Sequence, residues 1–240
     1  MLRHAEDLFK EHALSEDVVR AVAERMMARH FTRDKVCFTV RRRGGRIFFL
    51  RQGCIREELP TGEVRLWRSD TMFGEWTASK RGFYGANGIL LSTAGTGLSI
   101  PVMDVRQLAR EHPDLLTALA AMGAERYHLT ESLYGVSRRS PTSRVANLLL
   151  YLSAGTTNAI YHVRDERGQM VVQHAPGGLV EGPTQADLAD ALALGRATVE
   201  KILATLRERK ALMKSMPGGR TNRFYEIEDR DALMEIARGA

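Results

Sequence analysis

Residues 184–209, TQADLADALALGRATVEKILATLRER, decide how this chain is read. They spell two helices joined by a three-residue turn. Thr184 follows Pro183 and can cap the first helix, and Asp187 three positions on completes a capping-box-like pair at the positive helix end. Leu188, Ala189 and Leu192 recur at helical spacing and make one apolar face. Ala193-Leu194-Gly195 is the turn, with Gly195 as N-cap of the next helix. In that second helix Val199, Ile202, Leu203 and Leu206 fall inside, which leaves Arg196, Ala197, Glu200 and Lys201 outside. The small Ala189 lets the two helices cross closely, so the outer face can enter a DNA major groove. An ordinary helical hairpin inside a core would share this periodicity.

The next stretch separates the two possibilities. Residues 212–228, LMKSMPGGRTNRFYEIE, read as a strand, a Pro217-Gly218-Gly219 turn and a second strand, with basic and amide side chains at the tip. Two helices followed by such a hairpin make a winged helix-turn-helix. Across 196–223 there are eight basic residues (Arg196, Lys201, Arg207, Arg209, Lys210, Lys214, Arg220, Arg223) against the acids Glu200 and Glu208. The charge thus coincides with the two elements that would face phosphates.

The whole chain has 240 residues, enough for one large or two modest domains, with 44% hydrophobic and 27% charged residues. A net charge of +6 and a pI near 9.6 favour a polyanionic partner without naming it. Cys37 and Cys54 are its two cysteines, outside any CxxC or Cys/His cluster, which points to reduced thiols and excludes a four-thiolate iron–sulfur site. His162 and His174 share a predicted hairpin around Asp165-Glu166-Arg167-Gly168, but without further ligands no metal site is expected. The N-terminal 30 residues are amphipathic and charged rather than a signal peptide, and no apolar run reaches membrane-spanning length, so a cytoplasmic protein is expected. No GxSxG, P-loop, HExxH or DxDxG pattern is present, and no enzyme is expected.

In chain order, residues 1–30 read as short helices, the second carrying Val18, Val22, Met26 and Met27. From Lys35 the period shifts toward strands and stays there to residue 102. A helix started by Pro113 carries Leu115, Leu119, Met122, Arg126, Leu129, Leu133 and Val136 at spacings of 4, 3, 4, 3, 4 and 3. That is a coiled-coil seam with one polar interruption, or equally an internal core helix. Residues 137–141 read as a hinge before the helix SRVANLLLYL.

Taken with Asp70 and Phe73-Gly74-Glu75, LRQGCIREEL, PTSRVANLLLYL and the 184–212 stretch, the chain resembles the cyclic-AMP receptor protein/fumarate-and-nitrate-reduction regulator (Crp/Fnr) family. The resemblance implies an α+β protein: a cyclic-nucleotide-binding-type β-roll (jelly-roll) over 1–112, a dimerisation helix over 113–137 and a winged helix-turn-helix over 138–240. It implies a bacterial transcription regulator that acts as a parallel homodimer through the 115–136 seam and binds an inverted-repeat operator. RNA polymerase is a further partner if it activates. The DNA contacts it implies are Thr184, Gln185, Arg196, Ala197, Thr198, Glu200, Lys201, Arg220, Asn222 and Arg223, with Ala197 standing where the family has Glu and Lys201 where it has a second Arg. A guanine contact from Lys201 is softer than one from Arg, because it lacks the planar fork.

The effector cassette departs from the family. Gly74 and Glu75 match the pair that meets ribose in members that bind cyclic AMP, but the Arg-Ser position that holds the phosphate falls on Gly85-Ala86. Neither residue supplies a charge or a hydroxyl, and a buried phosphate without a partner is costly. Thr130 matches a base-contacting position, while Arg126 can set register or answer a ligand. Cyclic AMP is therefore not expected, and no cofactor is assigned. A sensor module whose C-terminal domain binds protein rather than DNA is the alternative, separable by salt dependence.

Overall fold

The computed structural model describes residues 2–12, 14–39, 45–74, 85–135, 139–154, 156, 159–164, 169–175, 177–214 and 223–239. Helices α1 (Leu2–Phe9) and α2 (Glu16–Arg25) precede strands β1 (Met27–Thr32), β2 (Val36–Phe38), β3 (Arg46–Gln52), β4 (Ile55–Glu58), β5 (Val64–Trp67), β6 (Thr71–Phe73), β7 (Asn87–Leu90) and β8 (Ala94–Pro101). They form two antiparallel sheets, ordered β1-β8-β3-β6 and β2-β7-β4-β5. Strand β3, RIFFLRQ, shows why the roll closes. Ile47 and Phe49 face the helical layer with Val18, Val22 and Val105, whereas Phe48 and Leu50, with Phe73 of the neighbouring β6, face Ile55 and Trp67 of the other sheet. A strand covered on both sides needs an unbroken apolar run, because its side chains alternate between faces. Gly88 and Gly97 keep the roll thin: a Cβ on the first would strike the Phe38 ring, and on the second the Phe48 ring.

One expectation fails at the entrance to the roll. Helix α2 stops at Arg25, Met26 is already extended, and residues 27–32 form β1, paired with β8 from Met27↔Ser99 to Thr32↔Ala94. Strand β1 is mostly exposed, so backbone pairing with β8 holds it rather than an apolar face that its sequence could have advertised.

Helix α3 (Val102–Glu111) leads into α4 (Asp114–Tyr134), with Pro113 at its N-cap. Here the expected dimer seam needs correction. Leu115, Leu119 and Met122 are buried in the chain's own core against the roll, and Leu133 is buried as well. Arg126 turns toward the roll, Leu129 stays 37% exposed, and Val136 lies outside the described residues. The 4-3 spacing therefore marks the face of α4 that packs on its own protomer. On the outer side Thr117, Ala120, Ala124, Tyr127 and Glu131 are exposed, at spacings of 3, 4, 3 and 4, and Ala120, Tyr127 and Glu131 also border a cavity between α4 and the roll.

The C-terminal part comprises α5 (Pro141–Ser153), β9 (Ala159–Arg164), β10 (Met170–Ala175), β11 (Leu179–Glu181), α6 (Gln185–Leu192), α7 (Arg196–Glu208), β12 (Phe224–Glu226) and α8 (Arg230–Arg238). Ser140 caps α5 by accepting from the Ser143 N–H at 3.1 Å, with Pro141 in the first turn. Strands β9 and β10 make the expected antiparallel hairpin. The base of the expected wing is present: Leu212 bridges Ile227 in antiparallel sense, the Met213 N–H donates to the Glu226 carbonyl at 3.0 Å and the Glu228 N–H to the Ala211 carbonyl at 3.1 Å. Strand β12 also pairs with β11, which the sequence had not marked. The turn at Pro217-Gly218-Gly219 lies outside the described residues. Leu148, Leu149, Leu188, Leu203 and Leu233 centre this core, which continues into the roll through Cys54, Leu66 and Leu91.

Candidate functional site

The helix pair forms as its residues dictate. Thr184 accepts from the Asp187 N–H at 3.1 Å, and Asp187 accepts from the Thr184 N–H at 2.7 Å, a complete capping box. Ala193 ends α6 in the left-handed region at φ 49°, and Gly195 opens α7. Val199, Ile202, Leu203 and Leu206 are buried, so the amphipathic pattern fixes which face of α7 looks outward. Arg196, Ala197, Thr198, Glu200 and Lys201 are all exposed on that outer side. Arg196 donates from Nε to Glu200 Oε1 at 3.2 Å, one turn along. This holds the guanidinium over the helix, and it means a base contact by Arg196 first exchanges a solvated ion pair.

The remaining expected contacts divide. Thr184 and Gln185 are half-buried at the start of α6, and the Thr184 hydroxyl also donates to Asp187 at 2.7 Å. Arg223 donates to the Gly182 carbonyl at 3.1 Å and so braces the β11–α6 connection. Arg220 and Asn222 lie outside the described residues. Arg144, which the sequence did not single out, donates to the Leu192 carbonyl at 2.6 Å and places a cation at the negative end of α6.

The helix pair is also tied to the roll. Arg56 on β4 reaches Asp187 at 2.8 Å, Asp190 at 2.9 Å and Glu58 at 2.9 Å. Burial works against the Arg56 charge, but its hydrogen bonds to Glu58, Asp190 and Asp187 outweigh that and hold its pKa above the ordinary value. Beside it, Glu181 accepts from the Thr93 N–H at 2.9 Å, and the Ser92 hydroxyl donates to the Glu181 carbonyl at 3.2 Å. Tyr134, ending α4, accepts from the Leu66 N–H at 2.9 Å and donates to the Leu66 carbonyl at 2.6 Å. Burial pushes this phenol well above its usual pKa, with the backbone hydrogen bond at Leu66 working the other way.

Between the roll and α4 lies a cavity of about 900 Å³. Gly74, Gly85, Ala86, Arg126 and Thr130, which the sequence scatters over some 57 positions, all line it, while Glu75 lies outside the described residues. Arg126 does not enter a helix–helix seam. It pairs with Glu57, donates to the Met72 carbonyl at 3.3 Å, and sits 4.8 Å from both the Trp67 and Phe73 ring centres. Glu57, only 5% exposed, also accepts from Trp67 Nε1 at 2.7 Å. The sequence reading missed Glu57, although period two on β4 puts it on the same face as buried Ile55, where a carboxylate must find a partner.

Residues 143–236 match the family described as the Crp-like helix-turn-helix domain. The fold of the whole chain is that of Crp/Fnr-type transcription regulators, with their cyclic-nucleotide-binding-type roll. A Ruegeria pomeroyi protein, provisionally described as cyclic-nucleotide-binding, is similar over 99% of each chain with a TM-score of 0.67 at 18% identity. FixK2 from Bradyrhizobium japonicum is similar over 88% of this chain and 96% of its own, with a TM-score of 0.63 at 17% identity. A CRP/FNR-family transcriptional regulator from Thermus thermophilus, TTHA1359, is similar over 88% and 98%, with a TM-score of 0.58 at 21% identity. No curated protein sequence matches the chain significantly. Among the described residues no helix is long and apolar enough to cross a membrane.

Proposed function

We propose that the chain is a homodimeric, sequence-specific DNA-binding transcription regulator, reading an inverted repeat through α7 and not governed by cyclic AMP. The observation that carries this is the outward face of α7. Arg196, Ala197, Thr198, Glu200 and Lys201 stand exposed on a helix whose other face is wholly committed to the domain core. Arg196 supplies a bidentate guanine or phosphate contact, Ala197 offers a methyl to thymine, and Lys201 a softer cationic contact. Half-sites would lie one helical turn apart, about 34 Å centre to centre.

Because Leu115, Leu119 and Met122 are used inside one protomer, the dimer is assigned to the exposed side of α4, through Thr117, Ala120, Ala124 and Tyr127. Against cyclic AMP stand Gly85-Ala86 at the phosphate position and the pairing of Arg126 with Glu57 inside the cavity. The test is selection from a random duplex pool with ligand-free protein, run beside Arg196→Ala. Wild type should enrich a two-fold symmetric site that the variant loses, with affinity falling steeply as salt rises. Equal enrichment by both proteins would overturn the assignment of α7.

A further inference from the structure

The cavity beneath α4 has a chemistry of its own, and its size of about 900 Å³ falls among small-molecule sites, roughly 300–1,000 Å³. Its wall is largely apolar, with Phe38, Ile47, Leu59, Met72, Phe73 and Leu119 contributing. The charged groups among the described lining residues are two of each sign: Glu57 and Glu131, Arg65 and Arg126. Both cations already face carboxylates, Arg126 against Glu57 and Arg65 against Glu63 at 3.3 Å. An anionic ligand that recruited Arg126 would strip a buried carboxylate of its cation, and breaking a buried pair in that way is strongly unfavourable. Thr130 gives its hydroxyl proton to the Arg126 carbonyl at 2.9 Å, so its donor is used within the helix and is not offered to an anion.

Gly123 adds a geometric point. It lies in the middle of α4, lines the cavity, and a Cβ built there meets nothing within 4 Å. Glycine in a helix interior weakens the helix. Here the missing side chain keeps the cavity open on the α4 side. At the mouth stand Tyr127, 63% exposed in the single chain and also on the side of α4 assigned to the dimer, and Glu131, which can accept from a hydroxyl or N–H but repels a phosphate or carboxylate.

We propose that this cavity binds a neutral, largely apolar small molecule, of fused-ring or medium-chain size, whose one polar end is a hydrogen-bond donor directed to Glu131. The proposal deepens the regulator assignment, since it rests on the roll being that regulator's sensor. The test titrates full-length protein with N-phenyl-1-naphthylamine, a neutral fluorescent ring compound with one N–H. Saturable enhancement is expected, reversed by 1-decanol and at least tenfold less effectively by decanoate, with no reversal by cyclic AMP. Gly123→Phe should fill the space and weaken probe binding at least tenfold, with melting temperature unchanged or raised. Gly123→Leu, a smaller filling, should show the same direction. Displacement by cyclic AMP, equal displacement by decanoate and decanol, undiminished binding in both Gly123 variants, or no saturable binding by folded wild type would each overturn the proposal. Because the fluorescence needs no DNA, probe binding as stated by a protein that selects no duplex would refute the regulator reading alone and leave the ligand class standing.

Discussion

Removing the Arg56 side chain should uncouple the helix pair from the roll, at a cost that can be worked from exposure. Arg56 is 18% exposed and its partners differ: Asp187 is 12% exposed, Glu58 38% and Asp190 50%. The two solvated pairs contribute ~0.2–1 kcal/mol each. Asp187 loses its cation while nearly buried, but it keeps the hydrogen bonds from the Thr184 N–H and hydroxyl, so its loss sits near a single unsatisfied buried group, ~1–3 kcal/mol. Arg56→Ala should therefore cost about 1.5–5 kcal/mol, or about 3–20 °C in Tm for a chain of this size. Arg56→Lys should recover part of this, since one ammonium cannot serve three carboxylates with a planar fork. Denaturant unfolding followed by tryptophan fluorescence (Trp67 lies in the roll) and by far-ultraviolet dichroism is the assay. The two probes should coincide in wild type and separate in Arg56→Ala, as a two-state transition splits. A loss below about 0.5 kcal/mol with coincident transitions would refute the reasoning, because exposed pairs alone account for that much.

Four other outcomes follow from the same geometry. Arg196→Ala should cost ~1–3 kcal/mol in binding to the selected duplex and relax one base position, measured by fluorescence anisotropy against single-base variants. Glu57→Gln leaves the Arg126 cation nearly buried without its carboxylate and should lower stability by ~3–5 kcal/mol in urea unfolding. Stability should fall as pH rises above about 9–10: burial raises the pKa of Tyr134, Tyr151, Tyr225 and both cysteines, Cys37 to about 12, so the unfolded chain releases these protons first. Their contribution is complete below their unfolded values and is lost as pH climbs, so Tm should be flat from pH 7 to 8.5 and drop beyond. Tyr134→Phe should cost ~1–3 kcal/mol at neutral pH, because Leu66 loses both backbone partners, and should make the alkaline drop shallower.

The helix pair was legible because everything that makes it is local. Thr184 and Asp187 are three residues apart, Gly195 marks the second start, and the apolar positions repeat at helical spacing. Strand β1 was not legible, since MARHFT has no apolar alternation and exists through its register with β8 some 70 residues away. Strand β11 and helix α8 were passed over for a similar reason. The first is three residues long and made by its pairing with β12, and the second sits at the chain end, where its packing on α5 gives it a purpose. The 4-3 spacing on α4 reported a buried face correctly, but spacing cannot say whether the covering surface belongs to the same chain. The roll supplied that answer. Arg56, Glu57 and Tyr134 find partners 131, 69 and 68 positions away, a distance at which only the fold pairs residues.

Strands β4 and β5 are where the cavity and the helix pair meet, and alternation along a strand makes this unavoidable. On β4, Glu57 turns to the cavity and Arg126, while Arg56 on the opposite face holds Asp187 and Asp190. On β5, Trp67 stacks by Arg126, while Leu66 packs into the C-terminal core and is gripped by Tyr134 through its backbone. A shift of these strands that reoriented Glu57 would move Arg56 with it, because neighbouring residues of a paired strand cannot move independently of their ladder. A ligand changes the position of the helix pair only as far as it binds one arrangement of β4 and β5 better than another. The ledger for that difference is bounded by the Arg56 contacts. A ligand whose differential affinity falls below the about 1.5–5 kcal/mol they contribute could not release the helix pair, however tightly it filled the cavity.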